Sequence, residues 1–363
     1  AIESYHRASC DDVLFVPVSI SFDQIPEMDD YVAMQRGLPK RKESLGWFVS
    51  YISGMQAHVG KIYLRYGEPL ALSDAASRLE GMFDASGKPG HTQVQKVAFE
   101  IMSRIEHVTP ILLTDLVTLV LLAANGRALV EDQIRAHAQE IIALVRQRGL
   151  PMAGELSLEA GASLGGALSA MTGTGLLHCF SEGSEPVYRV TPGKELAAAY
   201  YRNTIVHYFL ASAVAEIALA SICGKKESVA ALRDKILSLR DLLKFEFVFR
   251  AKEEFIVDTD WYLDERYPDW KKALAGRRPA ADVLFDERAP LFGHGIMRSF
   301  FEAYQVMARV LSRAPRQDMT DENELIRNCM QQGEELLLRG HIHSAAALSE
   351  PLFGTTIKLA VHR

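Results

Sequence analysis

Apolar positions run almost unbroken from Val13 to Ile20, alternate with polar ones from Lys61 to Tyr66, and recur at helical spacing beyond residue 90. The first run predicts a strand covered on both faces, as in a parallel or mixed sheet between helices. Pro17 within it points to a sheet edge or a bulge. The second predicts a strand with one exposed face, stopped by Gly67-Glu68-Pro69, and residues 43–58 between the two carry a helical pattern. Together these form a β-α-β unit, the tail of a layered α/β domain rather than a whole one. The Gly/Pro-rich stretch Ala85 to Gly90 is the best domain boundary, dividing the chain into 1–84 and 91–363. Helices are expected at 92–107, 110–124, 130–148, 161–173, 194–223, 226–245, 296–312 and 321–339. The second of these reads Thr109 as N-cap, Pro110 in the first turn and Gly126 past the end.

A hairpin interrupts the helices: Leu176 to Phe180 and Pro186 to Val190 flank Glu182-Gly183-Ser184. Two helices ahead of it give a winged-helix silhouette. The preceding helix is rich in small residues and carries no Arg or Lys to reach a phosphate or a base edge. The run Thr204 to Cys223 is long enough to cross a bilayer, but it contains His207 and Glu216, and ionisable groups near a helix centre cost about 2.5–3.5 kcal/mol each on insertion. It therefore reads as a core helix.

Composition narrows the classes. Of 363 residues 48% are apolar, and the net charge of −6 argues against general nucleic-acid binding. The mean hydropathy of zero suits a protein that works at a membrane surface. Cys10, Cys179, Cys223 and Cys329 are too far apart for a Cys-x-x-Cys site and read as reduced thiols of a cytosolic compartment. The start, Ala1-Ile2-Glu3-Ser4, has neither initiator Met nor the pattern of a secretory signal, and reads as the middle of a longer polypeptide.

Four cations, Arg36, Lys40, Arg41 and Lys42, crowd a loop broken by Gly37 and Pro39. Such a cluster suits a phosphate or anionic headgroups, each cation near a membrane contributing about 1 kcal/mol. In Tyr200-Tyr201-Arg202-Asn203-Thr204-Ile205-Val206-His207, Asn203 and His207 are four apart and are expected to share a helix face, with Arg202 pointing elsewhere. That polar patch reads as a docking surface. His6 and Asp11 match His-x4-Asp, but 11 His and roughly one Asp in twenty residues yield about half such a match by chance. Asp258, Asp260 and Asp264 with His341 and His343 fit no metal-ligand spacing and read as solvated acidic turns.

Val16-Pro17-Val18-Ser19-Ile20-Ser21-Phe22-Asp23 followed by Gly37-Leu38-Pro39-Lys40-Arg41-Lys42-Glu43-Ser44 resembles the last conserved block of the PlsB-type glycerol-3-phosphate acyltransferases. The Tyr-Tyr-Arg-Asn-x-x-x-His segment at 200–207 resembles their C-terminal part. Leu239 to Phe247, Lys252 to Phe255 and the tail Gly333 to Phe353 look like the actinobacterial branch. The resemblance implies a mainly α fold with a small α/β part: the C-terminal remnant of an α/β acyltransferase domain, then a helical domain containing the winged-helix-like hairpin. It also implies transfer of a fatty acyl group from acyl-CoA or acyl carrier protein to the sn-1 hydroxyl of glycerol 3-phosphate, with no cofactor and no metal, at the cytoplasmic face of the inner membrane.

In that family a His general base oriented by Asp lies upstream of the Val-Pro-Val strand, followed by Gly-x-x-Phe-Ile-x-Arg and Phe-x-Glu-Gly-x-Arg segments. Neither segment is present here, and His6/Asp11 sits in the wrong place. No catalytic residue is therefore assigned, and the chain alone is expected to be inactive. Arg36, Lys40, Arg41 and Lys42 are assigned to substrate phosphate, and Arg202, Asn203 and His207 to domain docking. The alternatives are a dihydroxyacetone-phosphate acyltransferase of the same family and a non-catalytic helical and winged-helix binding module.

Overall fold

The computed structural model describes residues 5, 10–25, 28–38, 60–78, 90–154, 158, 161–276, 280–287, 292–313 and 321–362. The fold is mainly α with a small α/β part. It opens with β1 (Leu14–Phe15), β2 (Val18–Phe22), α1 (Met28–Gln35), β3 (Ile62–Tyr66), β4 (Leu70–Ala71), α2 (Leu72–Arg78) and α3 (His91–Val108).

The first apolar run is not one strand covered on both faces. It breaks at Val16-Pro17, so β1 pairs with β4 while β2 pairs antiparallel with β3, Ile20 opposite Leu64. Proline has no N–H to donate to a ladder, and its carbonyl instead accepts the Gly67 N–H at 2.8 Å. The two-stranded ladder buries its small polar side: Ser19 and Ser21 face inward, and Ser19 Oγ shares a hydrogen bond with Thr109 Oγ1 at 2.9 Å. Its apolar side faces out, with Ile20 56% and Ile62 66% exposed. The helical pattern at 43–58 and the boundary residues 85–89 lie outside the described residues.

The helical part continues through α4 (Leu113–Ala123), β5 (Leu129–Val130), α5 (Glu131–Gln147), α6 (Gly161–Gly173), β6 (Leu177–Phe180) and β7 (Val187–Val190). The hairpin β6–β7 gains β5 as a third strand, in the order β5-β7-β6, all antiparallel. Helix, strand, helix, helix, strand, strand is winged-helix connectivity. Thr109, read as the N-cap of α4, instead ends α3 with its N–H on Glu106 O. The α4 start is capped by Asp115, whose Oδ2 accepts the Leu112 N–H at 3.0 Å. Ile111 is tied up first, in a bridge to Met152, and Leu112 is the N-cap, which delays the helix by three residues.

Next come α7 (Glu195–Ile205), a 3-10 turn (Val206–Phe209), α8 (Leu210–Ser221), α9 (Val229–Leu242), α10 (Lys252–Arg266), α11 (Trp270–Leu274), α12 (Ala280–Glu287), α13 (Gly293–Arg313), α14 (Glu322–Leu338), a 3-10 turn (Ala345–Ala347) and α15 (Glu350–Val361). The stretch Glu195–Ser221 is 27 residues long and apolar enough to cross a membrane. Here it is the centre of the core: Ala213, Val214, Ala215, Ala218 and Leu219 have no exposure. Helix α8 is apolar all round, as a helix surrounded by others must be, and α9, α10 and α13 pack on it. Its Glu216 is satisfied by capping α13, accepting the Gly293 N–H at 2.6 Å and a hydrogen bond from the Tyr262 hydroxyl. Replacing a core leucine such as Leu116 or Leu219 by alanine costs about 2–5 kcal/mol in such settings.

Candidate functional site

Helix α7 holds the segment that follows β2 against the helical core. Successive side chains on a helix point about 100° apart, so Tyr200, Tyr201 and Arg202 reach three different neighbours. Tyr201 Oη accepts the Ile25 N–H at 2.9 Å. Tyr200 meets the ring of Tyr31 on α1 edge-on, with centroids 4.9 Å apart. Lys194, just ahead of α7, pairs with Asp29 in the first turn of α1. At the other end of α1 the Ser349 hydroxyl donates to Gln35 Oε1 at 2.7 Å. Gly37 follows with φ +74°, pressed so closely on α15 that a Cβ there would run into the Glu350 carboxylate. The segment leading into the basic loop is thus fastened to the helical core at both ends.

Arg202 is 3% exposed. Its Nε and Nη2 donate to Asn203 Oδ1 at 3.0 and 2.8 Å, and Nη2 also to Ser299 Oγ on α13 at 3.1 Å. The guanidinium lies over the Phe300 ring, 5.4 Å from its centroid. Its acceptors among the described residues are all neutral, and none of the described carboxylates forms an ion pair with it. Burial without a counter-charge pulls its pKa down to about 10. It lines a cavity of about 220 Å³ together with Tyr31, Gln35, Glu246, Ser349 and Thr355. Glu246 accepts from the Tyr304 hydroxyl at 3.1 Å, and burial raises its carboxyl to about 7. The arrangement sets one buried guanidinium among neutral hydrogen-bond acceptors, with the Glu246 carboxyl elsewhere in the same wall.

Asn203 and His207 do not share a face. The α-helix tightens into the 3-10 turn at Val206, so His207 swings to α3, where its Nε2–H donates to Glu106 O at 3.0 Å while Asn203 stays with Arg202. Burial holds the His207 imidazole down at about 4. It opens on a second cavity of about 190 Å³ that it shares with Glu106, Arg148 and Asp258. The Glu106 carboxyl, desolvated there, is raised to about 7.

Arg36 sits exposed in the turn after α1. Lys40, Arg41 and Lys42 lie outside the described residues, as does His6; Asp11 is exposed. Asp260 pairs with Arg233, and Asp264 accepts from Trp270 Nε1 at 2.8 Å and from Lys271. Sequence reasoning missed Ser299, Ser349, Gln35 and Glu246. Each lies on a different element, and the only local signal was an Arg in an otherwise apolar, alanine-rich helix.

A family model for the glycerol-3-phosphate acyltransferase C-terminal region matches residues 31–363. The proteins of Mycobacterium tuberculosis and Mycobacterium bovis that bear the name acyltransferase plsB1 are each 32% identical to the chain over 360 residues, covering 97% of it and 56% of themselves. A glycerol-3-phosphate acyltransferase of Glaesserella parasuis is 26% identical over 229 residues, 60% of the chain and 28% of the relative. The chain thus spans about half the length of the mycobacterial relatives it matches. It belongs to the family of the glycerol-3-phosphate acyltransferase C-terminal region.

Proposed function

We propose that this chain is the supporting and anchoring part of an enzyme that transfers a fatty acyl group from acyl-CoA or acyl carrier protein to the sn-1 hydroxyl of glycerol 3-phosphate. The observation that carries the reading is the fastening of α1, and hence of the basic segment after it, onto α7 through Tyr201, Tyr31 and Lys194. Arg36, Lys40, Arg41 and Lys42 hold the substrate phosphate or anionic headgroups at the inner face of the membrane. Lys194, Tyr200 and Tyr201 join the helical part, 91–363, to the α/β part, 1–84, and Arg202, Asn203 and His207 beside them support that junction by fixing α7 to α13 and α3.

The acyl-transfer step itself needs a base to take the hydroxyl proton and donors for the developing oxyanion. Among the described residues no histidine is hydrogen-bonded to an aspartate. In this reading the base is supplied by the rest of the enzyme, packed on the outward apolar face of the β2–β3 ladder, where Ile20, Ile62 and Leu64 are exposed. An apolar sheet face of this kind is normally a packed one.

The test is acyl transfer by the complete gene product with glycerol 3-phosphate and dihydroxyacetone phosphate in competition, the acyl position in the product read by NMR. The reading predicts 1-acylglycerol 3-phosphate as the main product. Preference for dihydroxyacetone phosphate, or acylation elsewhere, overturns it.

A further inference from the structure

We infer that the Arg202 cavity is a binding site for the phosphomonoester of a small polyol, separate from the basic loop. The inference rests on the acyltransferase reading only for the choice of glycerol 3-phosphate as probe. A buried guanidinium without a counter-charge is costly, and in a purely structural role it is normally matched by a carboxylate. Here, among the described residues, the matching groups are an amide oxygen, a serine hydroxyl and an aromatic ring, all of them neutral. A phosphate dianion supplies the missing charge and accepts from the planar guanidinium in the geometry arginine favours.

The rest of the lining suits the polyol end. The Glu246 carboxyl, whose Oε1 already accepts from the Tyr304 hydroxyl behind it, turns its remaining oxygen capacity to alcohols. Ser349 spends its proton on Gln35 Oε1, which leaves the Gln35 amide N–H groups as donors. The space is small: about 220 Å³, below the ~300–1,000 Å³ of drug-sized ligand pockets. A larger ligand would extend out through the open mouth. The phosphate has two sources that share this chemistry, free glycerol 3-phosphate and the headgroup of its monoacyl ester, whose chain would leave through the mouth of the cavity. Because Tyr31 and Gln35 form one wall, an occupant ties α1 to α7, α13 and α15.

The test is calorimetric titration of the 363-residue chain with glycerol 3-phosphate, inorganic phosphate and a short-chain lysophosphatidate. Saturable binding of glycerol 3-phosphate, tighter than inorganic phosphate, is expected, weakened at least tenfold by Arg202→Gln and unchanged by Arg127→Gln. Binding of lysophosphatidate alone, lost in the same variant, assigns the site to the lipid headgroup and supports the shared phosphate chemistry. Should Arg202→Gln fail to fold, Thr355→Trp, which fills the cavity from its rim, is expected to abolish binding. Binding that survives either substitution, or no binding of any of the three probes, overturns the inference. The two readings fail separately: a gene product that acylates glycerol 3-phosphate while the chain binds none of the probes removes this site alone. Arg202-dependent binding with no acyl transfer by the gene product removes the enzymatic reading alone.

Discussion

Glu216 Oε2 accepts the backbone N–H of Gly293 at 2.6 Å, so a carboxyl group from the middle of the buried helix α8 caps the start of α13. The same oxygen takes the Phe292 N–H at 3.3 Å, and Oε1 takes the Tyr262 hydroxyl. Glu216→Ala leaves these buried donors unmet and is expected to lower stability by about 2–4 kcal/mol. Glu216→Gln, which keeps an acceptor, costs less. Urea unfolding followed by circular dichroism measures both.

Gly37 occupies a left-handed conformation against Glu350. Gly37→Ala is expected to destabilise by about 1–2 kcal/mol for the backbone conformation, the free end of the Glu350 side chain swinging aside at little cost. Thermal denaturation with and without Glu350→Ala measures it: the loss is expected to persist in the double variant, and its disappearance there would assign it to the contact instead.

The interior of β2 shows what a sequence withholds. A strand covered on both faces would bury Ile20 along with its neighbours, yet Ile20 is exposed and the buried residues are Ser19 and Ser21. Their partner Thr109 is 90 residues away, and no local pattern announces it. The helices α3 to α9, α13 and α14 were legible because their apolar positions repeat at helical spacing over many turns. Helix α10 was not, since charged residues fill its exposed side and only Phe255, Thr259, Tyr262 and Leu263 are buried. At the site, the block 200–207 was legible as a unit. The 3-10 turn that separates His207 from Asn203 was not, because helical spacing assumes an unbroken α register.

Glu246 links stability to pH on the alkaline side. Its carboxyl titrates at about 7 in the fold against 4.5 for the free group. Between those values the native state holds a proton that the unfolded chain has lost, so stability is full below pH 4.5 and falls as pH rises through 7. Glu246→Gln is expected to remove that fall, making the variant more stable than the parent at pH 8 and little different at pH 4. Urea midpoints across this range measure it; identical pH profiles would contradict the buried carboxyl.

His207 works in the opposite sense. Its imidazole is held at about 4 against 6.5 for the free group, so the unfolded chain binds the extra proton between these values. Stability is full above pH 6.5 and is lost as pH falls through 4. His207→Gln keeps an N–H for Glu106 O and is expected to flatten the acid limb. The same midpoints, read between pH 4 and 6.5, check it.

The most direct measurement is transfer of a radiolabelled acyl group from acyl-CoA to glycerol 3-phosphate in liposomes, comparing the complete gene product with the 363-residue chain. The account predicts labelled 1-acylglycerol 3-phosphate from the gene product and none from the chain alone. Turnover by the chain alone, or none by a folded gene product, would contradict it.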